Sequence, residues 1–380
     1  MGRAIVVVLD AVGAGALPDA AAYGDPPDAN TLAHLAEAVG GLDLPVLGSL
    51  GLGNILPIAG VPPVDAPAIH GRLGAQGAGK DSTAGHWELM GVVSEVAQPT
   101  YPEGFPEELV ARLEEATGHT FCCNRPYSGI DVINDYGAHH LDSGELILYT
   151  SADSVLQIAA HVEKVPLEEL YRTCRLARER TDVGRVIARP FTGEAGAFTR
   201  TADRKDLALP PPSRSALVAL QEADVPVYCV GKTRDLFAGV GVTAAFPGAT
   251  NELSLANTTR LIADLDETAL IFTNLIETDQ LYGHRKDTAG FHAALRGIDA
   301  AVGEWLMLLR DDDLLILTAD HGVDPHAPHT DHTREHVPLL AVAPGRPSHR
   351  HDGALSDIGQ TVFQHLTGAP DPHLPGRGFT

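Results

Sequence analysis

Basic side chains are scarce in this sequence. The 380 residues include 27 Lys and Arg against 50 Asp and Glu, a formal charge of −23. A deficit of that size argues against nonspecific binding to nucleic acid or to an anionic membrane surface. A small phosphorylated substrate stays open, provided metals or local arginines reverse the sign at its site. Long hydrophobic runs are missing as well: no apolar stretch approaches the roughly 20 residues of a membrane span. The opening run, "MGRAIVVVLDAVG", is short and ends at Asp10 in a turn-like segment. It reads as a first core strand and not as a signal peptide. Cysteine is sparse, and Cys122, Cys123, Cys174 and Cys229 contain no CxxC pair, so free thiols are expected. No internal repeat and no low-complexity tail stands out. The expectation is a soluble cytoplasmic protein with no obligate protein partner.

What is present suits folded cores. Hydrophobic residues make up 44% of the chain, and its length suits about two domains of 100–200 residues each. Several β-rich apolar runs end in polar residues: "AIVVVLD" at Asp10, "VPVYCVGK" at Lys232, "ALIFTNLIETD" at Asp279, and "DLLILTADHG" at Asp320 and His321. Near-continuous apolar strands fit a sheet covered on both faces by helices. Helical stretches fall between them, at "TLAHLAEAVG", at 288–310 and at "DIGQTVFQHLTG". Ligands of open α/β sheets gather at strand carboxyl ends, so one site built from distant segments is expected. Residues 98–212 hold their own helices and strands and end in the proline run "LPPPSR". They read as a second domain inserted into a discontinuous core of 1–97 and 213–380.

Two segments carry chemistry. The first, "GAGKDSTAGHWELMG" at 77–91, reads as a small-residue loop with two candidate nucleophiles, Ser82 and Thr83; spacing does not choose between them. Gly85 gives the loop room to turn, and His86 fixes the loop instead of binding metal. The second, "TADHGVDPHAPHTDHTREHVP", packs five histidines and three aspartates between 319 and 336. It follows a buried strand, and a second acid–histidine pair, Asp279 and His284, follows another. Five residues apart, those two lie about 140° apart on an ideal helix, so a loop or a strand end must present them. The ligand list is then Asp10, Asp279, His284, Asp320, His321 and His332. Asp10 also suits a strand-terminating turn. His326, His329 and His336 read as supporting or solvated residues, and Asp324 and Asp331 as turn-formers. Three carboxylates with three imidazoles favour Mn²⁺ or Mg²⁺, with zinc open. Two such ions about 4 Å apart would clamp the oxygens of an in-line phosphoryl transfer.

Together these residues resemble the alkaline phosphatase superfamily, and more closely the bacterial phosphopentomutases. The resemblance runs through "VVLDAVGAGALPDA", "GKDSTAGHWELMG", "YTSADSVLQIAAH", "GRVIARPFTGEAGAFTRTADR", "LYGHRKD" and "TADHGVDPHAPHTDHTREHVPLL", essentially the whole chain. It implies an α/β fold: an alkaline-phosphatase-like core, with a central mostly parallel sheet flanked by helices, and an inserted α/β cap domain. It implies two Mn²⁺ ions, or Mg²⁺ or another divalent ion, one held by Asp10, Asp320 and His321 and the other by Asp279, His284 and His332. Ser82 falls on the bridging nucleophile, with Thr83 as the alternative, and Lys232 on a lysine near the transferring phosphate. Arg189 and Arg204 match phosphate-binding arginines; Asp153, with Ser151 nearby, matches the position facing the sugar hydroxyls. The implied reaction interconverts ribose 1-phosphate and ribose 5-phosphate, and the deoxyribose pair, primed by a bisphosphate such as glucose 1,6-bisphosphate. Two positions depart from the family: Ser82 stands where threonine is usual, and Glu277 where an aspartate is common. The competing readings are a phosphomonoesterase or phosphodiesterase of the same superfamily, a cofactor-independent phosphoglycerate mutase, and a non-enzymatic metal-binding protein.

Overall fold

The computed structural model describes residues 2–151, 154–343 and 345–380. The chain divides into two compact units, Met1–Ala97 with Pro210–Thr380, and Gln98–Leu209. Among the described residues no helix is long and apolar enough to cross a membrane, and all four cysteines are free.

The first unit is built on an eight-stranded sheet. Its order is Ala244–Phe246, Val227–Val230, Leu270–Leu275, Ala4–Leu9, Leu314–Thr318, Val337–Val342, Ile69–Gly74 and Gly353–Ala354. The first five strands run parallel, and Val337–Val342 is antiparallel to both its neighbours. The three central strands are buried at every position. Continuous valine, isoleucine and leucine therefore replace the alternation of a one-sided sheet. The helices start and stop where the local chemistry directs. Asn30 accepts from the Ala33 N–H to open Thr31–Val39, and left-handed Gly40 closes it; Gly368 closes Asp357–Thr367 in the same way. Arg3 and Asp313 pair in the interior, with side chains 1% and 0% exposed.

The second unit has a six-stranded sheet. Phe121–Pro126, Leu146–Thr150, Val155–His161, Arg185–Thr192 and Thr199–Arg200 follow in spatial order, and Lys205–Ala208 also pairs with Arg185–Thr192. Alternation along Leu146–Thr150 divides the core. Leu146 and Leu148 pack with the helices Glu107–Thr117 and Leu167–Arg178 through Leu109, Leu113, Leu170 and Cys174. Ile147 and Tyr149 face Val132, Ile133, Phe191 and Phe198.

Candidate active site

Strand register assembles the acids of the first unit. Val8 pairs with Asn274 on one side and with Thr318 on the other. Asp10 and Asp320 thus each lie two residues beyond paired positions, at the same end of adjacent strands. Ala11, held with φ at 65°, donates its N–H to Asp320 Oδ1 at 3.2 Å. Asn274 donates to Asp10 Oδ2 at 2.9 Å. Sequence reasoning passed over Asn274, although a fully buried asparagine inside an apolar strand was its signal.

The 77–91 segment is not a loop throughout. Ser82–Leu89 is a helix, and Asp81 caps it by accepting from the Thr83 and Ala84 N–H groups at 2.9 and 3.1 Å. Ser82 is therefore the first helical residue, at the positive end of the helix dipole. Gly85 has a different task from the turn expected of it. A Cβ there would lie 2.4 Å from Asp320 O and 2.7 Å from Asp320 Cβ, so glycine lets the helix lie against the Asp320 backbone. His86, fully buried, has Nδ1 2.8 Å from the Ser82 carbonyl and 3.1 Å from Asp320 Oδ2. The residues before the helix are tied down as well. Glu88 accepts from the Gln76 and Gly77 N–H groups, and Arg334 donates to the carbonyls of Ala75, Gly77 and Gly79. Lys80 reaches Asp25 Oδ1 at 2.7 Å.

This framework sets Ser82 Oγ 3.1 Å from His321 Nε2 and 3.4 Å from Asp10 Oδ1. Thr83 spends its N–H on Asp81, and among the described residues its hydroxyl bonds to neither His321 nor Asp10. His321 Nε2 also lies 3.4 Å from Asp10 Oδ1 and from Asp320 Oδ2. Asp10, Asp320 and His321 thus form one compact set of three potential ligands, and Asp279, His321 and His332 form another. Asp279 Oδ1 faces both His284 Nε2 and His332 Nε2 at 3.4 Å.

The backbone that presents Asp279 and His284 is a π-turn. Thr278–Tyr282 winds with Gly283 N–H returning to the Thr278 carbonyl five residues back, and a 3₁₀ turn, Gly283–Arg285, follows. The wider turn brings residues five apart toward one side, which the 140° of an α-helix would not do. Sequence reasoning required a non-α presentation here but did not foresee this one, because a π-turn has no compositional signature.

The donor set fits divalent cations. His321 Nδ1 lies 3.1 Å from the Gly322 carbonyl and His284 Nδ1 lies 2.7 Å from the Thr330 carbonyl. Each Nδ1 therefore carries the proton, and each Nε2 turns a lone pair toward carboxylate oxygen. Among the described residues, Asp279 Oδ1, Asp320 Oδ2 and His332 Nε2 are buried without an aligned hydrogen-bond partner. Lone pairs facing one another in the interior need a positive charge between them. The protonation tendencies report the same strain. Burial, then the Asp320 and Asp279 charges, push Asp10 well above the usual carboxylate range, and Lys232 pulls it back. Burial also pushes Asp320 up, but His321 and His86 outweigh it and hold that carboxyl low. Asp279 is likewise held low against burial by His332, His321 and His284. Burial lowers His332, yet Asp279 overrides it and raises the imidazole to about 9.

Of the other anticipated residues, Lys232 occupies the N-cap position of the short helix Thr233–Leu236, just past its strand, within electrostatic reach of Asp10. His329 binds Asp25 Oδ1 at 3.1 Å, His336 Nδ1 lies 3.2 Å from the Gly15 carbonyl, and His326 stacks on His34. Arg189, Arg204 and Ser151 belong to the second unit. The two arginines line one cleft there, and half-buried Ser151 follows the strand Leu146–Thr150. Asp153 lies outside the described residues.

Comparison with known proteins places the chain among metalloenzymes. The family model described as the metalloenzyme superfamily matches residues 2–369. A phosphopentomutase of Anaeromyxobacter sp. (strain K) is 51% identical over 375 residues, covering 96% of this chain and 95% of its own. One from Caldanaerobacter subterraneus subsp. tengcongensis is 46% identical, covering 97% and 95%. A solved Pyrococcus horikoshii protein superimposes with a TM-score of 0.53 over 97% of this chain and 98% of its own. The Leishmania mexicana phosphoglycerate mutase does so with 0.52 over 99% and 97%. Both structures are 12% identical in sequence and speak for the fold alone. The chain is an enzyme of the metalloenzyme superfamily, within the alkaline phosphatase superfamily, and belongs to its phosphopentomutase family.

Proposed function

We propose that the protein interconverts ribose 1-phosphate and ribose 5-phosphate, and the 2-deoxyribose pair, by carrying the phosphoryl group on Ser82. The observation that carries this reading is the placing of Ser82 Oγ, 3.1 Å from His321 Nε2 and 3.4 Å from Asp10 Oδ1, beside buried ligand atoms that lack partners. Asp10, Asp320 and His321 would hold one Mn²⁺ ion, and Asp279, His284 and His332 a second, with Ser82 as a further ligand. When bound, such ions lower the pKa of an alcohol and neutralise charge on the transferring phosphoryl oxygens.

The protein's own groups do the rest. The Asp81 cap and the Glu88 and Arg334 clamps hold Ser82 in one position, so little ordering is left for the reaction itself. In the transfer the Ser82 Oγ–P bond breaks and a bond from phosphorus to one sugar oxygen forms. That hydroxyl's proton passes to the serine oxygen, and the reverse exchange at the other hydroxyl restores the phosphoserine. Lys232 adds positive charge beside Asp10 where phosphoryl oxygens would lie. Arg189 and Arg204 would grip the distal phosphate with planar guanidinium, and Ser151 and Asp153 would face the sugar hydroxyls. A glucose 1,6-bisphosphate-type activator supplies the first phosphoryl group. The charge of −23 and the four free thiols support a cytoplasmic enzyme of small phosphosugars rather than a binder of nucleic acid or membrane.

The test is turnover of ribose 5-phosphate by Mn²⁺-loaded protein with the bisphosphate, read by coupling ribose 1-phosphate formation to a nucleoside phosphorylase. Release of inorganic phosphate at a comparable rate would replace this reading with a phosphomonoesterase.

A further inference from the structure

One cleft of the inserted unit gathers positive charge in an otherwise acidic chain. Arg189, Arg200 and Arg204 line one open cleft together with Pro190, Thr201 and Ala202. In a chain of charge −23, three neighbouring guanidiniums have acids available to them. Arg204 takes one, clasping Asp206 through Nε and Nη2 at 2.6 Å each; Asp206 also sits 4.0 Å from Arg185 Nη1. Arg189 instead lays Nε and Nη2 on the neutral Gln157 carbonyl oxygen, at 3.1 and 2.8 Å. Arg200 forms no ion pair with a described residue. Three cations against one carboxylate leave the cleft with a charge of about +2, the complement of a phosphate monoester at neutral pH.

A second observation lies beside Arg189 and Arg200. Tyr149 is fully buried against Phe191 and Phe198, and its hydroxyl has no hydrogen-bond partner among the described residues. That hydroxyl, Arg200 Nη1 and Arg189 Cζ converge on Gly129, where a Cβ would stand 3.1, 3.6 and 3.9 Å from them. Any side chain at position 129 would fill the space between these groups. Burial pushes the Tyr149 hydroxyl above its ordinary range, and the three guanidiniums pull it down; burial prevails, so the hydroxyl keeps a proton to donate. An unpaired buried hydroxyl is costly, and a ligand oxygen at this point would satisfy it.

We propose that Arg200 is a third anion-gripping residue of this cleft and that the Tyr149 hydroxyl is the donor at its floor, forming a site that selects a phosphate monoester dianion over a singly charged carboxylate. The proposal deepens the reading of Arg189 and Arg204 as the grip on the distal phosphate and rests on it.

The test uses the full-length, Mn²⁺-loaded protein, with KM and kcat for ribose 5-phosphate and thermal midpoints for four variants. Arg200→Met raises KM roughly tenfold to a hundredfold and changes kcat far less. Arg200→Lys recovers part of the loss, because it restores charge but not the planar fork. Tyr149→Phe raises KM several-fold while its thermal midpoint holds or rises, since the variant removes an unsatisfied atom. Gly129→Val raises KM by crowding the Tyr149 hydroxyl, Arg200 and Arg189. An Arg200→Met KM within twofold of the parent overturns the proposal. So does a Tyr149→Phe protein that loses stability with KM unchanged. Inactivity of the parent protein would instead refute the proposed reaction. Calorimetric titration of the same variants with inorganic phosphate then tests the site by itself: binding lost in Arg200→Met supports it, and binding equal to the parent's overturns it.

Discussion

Replacing Gly85 with alanine sets two effects of opposite sign against each other. The residue lies inside the helix Ser82–Leu89 without a positive φ, so helix propensity alone favours alanine by about 1 kcal/mol. The contact geometry opposes it. The new Cβ would meet Asp320 O at 2.4 Å, Asp320 Cβ at 2.7 Å and Asp320 C at 2.9 Å. Two of those atoms are backbone of a buried strand end and cannot swing aside. Restoring ordinary contact near 3.4 Å requires the helix to withdraw by about 1 Å, and overpacking of this kind costs about 1–3 kcal/mol, more than propensity returns. Ser82 is carried on that helix. A 1 Å retreat takes its Oγ out of the 3.1 Å relation to His321, and misplacement on that scale costs on the order of 100-fold in rate. Coupled turnover at saturating Mn²⁺ and substrate should show kcat lowered by about that factor, with the thermal midpoint reduced and the ribose 5-phosphate KM little changed. Parental kcat in Gly85→Ala would refute the claim that contact between helix and strand end sets the nucleophile's position.

Phosphopeptide mapping after incubation with glucose 1,6-bisphosphate should recover the label on Ser82; label on Thr83 would reverse the assignment. Asp320→Ala removes a proposed ligand and the acceptor of the Ala11 N–H, and elemental analysis should find metal lost together with activity; a variant that keeps full activity would break the two-ion reading. Asp313→Asn leaves the Arg3 guanidinium buried without its counter-charge, which should cost about 3–5 kcal/mol in denaturant unfolding. Burial pushes Asp313 up, but Arg3 outweighs it and the folded carboxyl titrates below its ordinary value. Its contribution is therefore present above the unfolded value of about 3.9 and is lost as pH falls through the lower folded value. The difference between parent and variant should shrink below about pH 4, where a constant difference would show that the pair's charge is irrelevant.

The acids of the proposed ligand set were legible because each stands just past an apolar run. Asp10, Asp279 and Asp320 follow strands buried at every position, and an acid at such an edge needs a partner. His321 is adjacent to one of them. The arginines were harder: Arg189 lies mid-strand and Arg204 in an exposed turn, and neither spacing nor periodicity separates such residues from surface ion pairs. Resemblance supplied them. Arg200 escaped because nothing in "TRTADR" distinguishes one arginine from the other. Tyr149 escaped because an unpaired hydroxyl is visible only once its surroundings exist. Asn274 and Arg334 also act through distant partners, Asp10 and the carbonyls of Ala75, Gly77 and Gly79.

Composition and pattern by themselves determined the fold class, the strand-end location of the acids and the identity of the candidate ligands, since burial and strand ends follow from local hydrophobic pattern. Tertiary structure decided what depends on contacts between remote segments. It made the small-residue stretch before Trp87 a capped helix pressed on the Asp320 backbone. It turned Asp279 and His284 together through a π-turn, and it brought Ser82, not Thr83, against His321 and Asp10. The reason is physical: local sequence sets which groups sit at a strand end, but the few ångströms that separate a reactive oxygen from a bystander are set by strand register and by where a helix may approach a backbone.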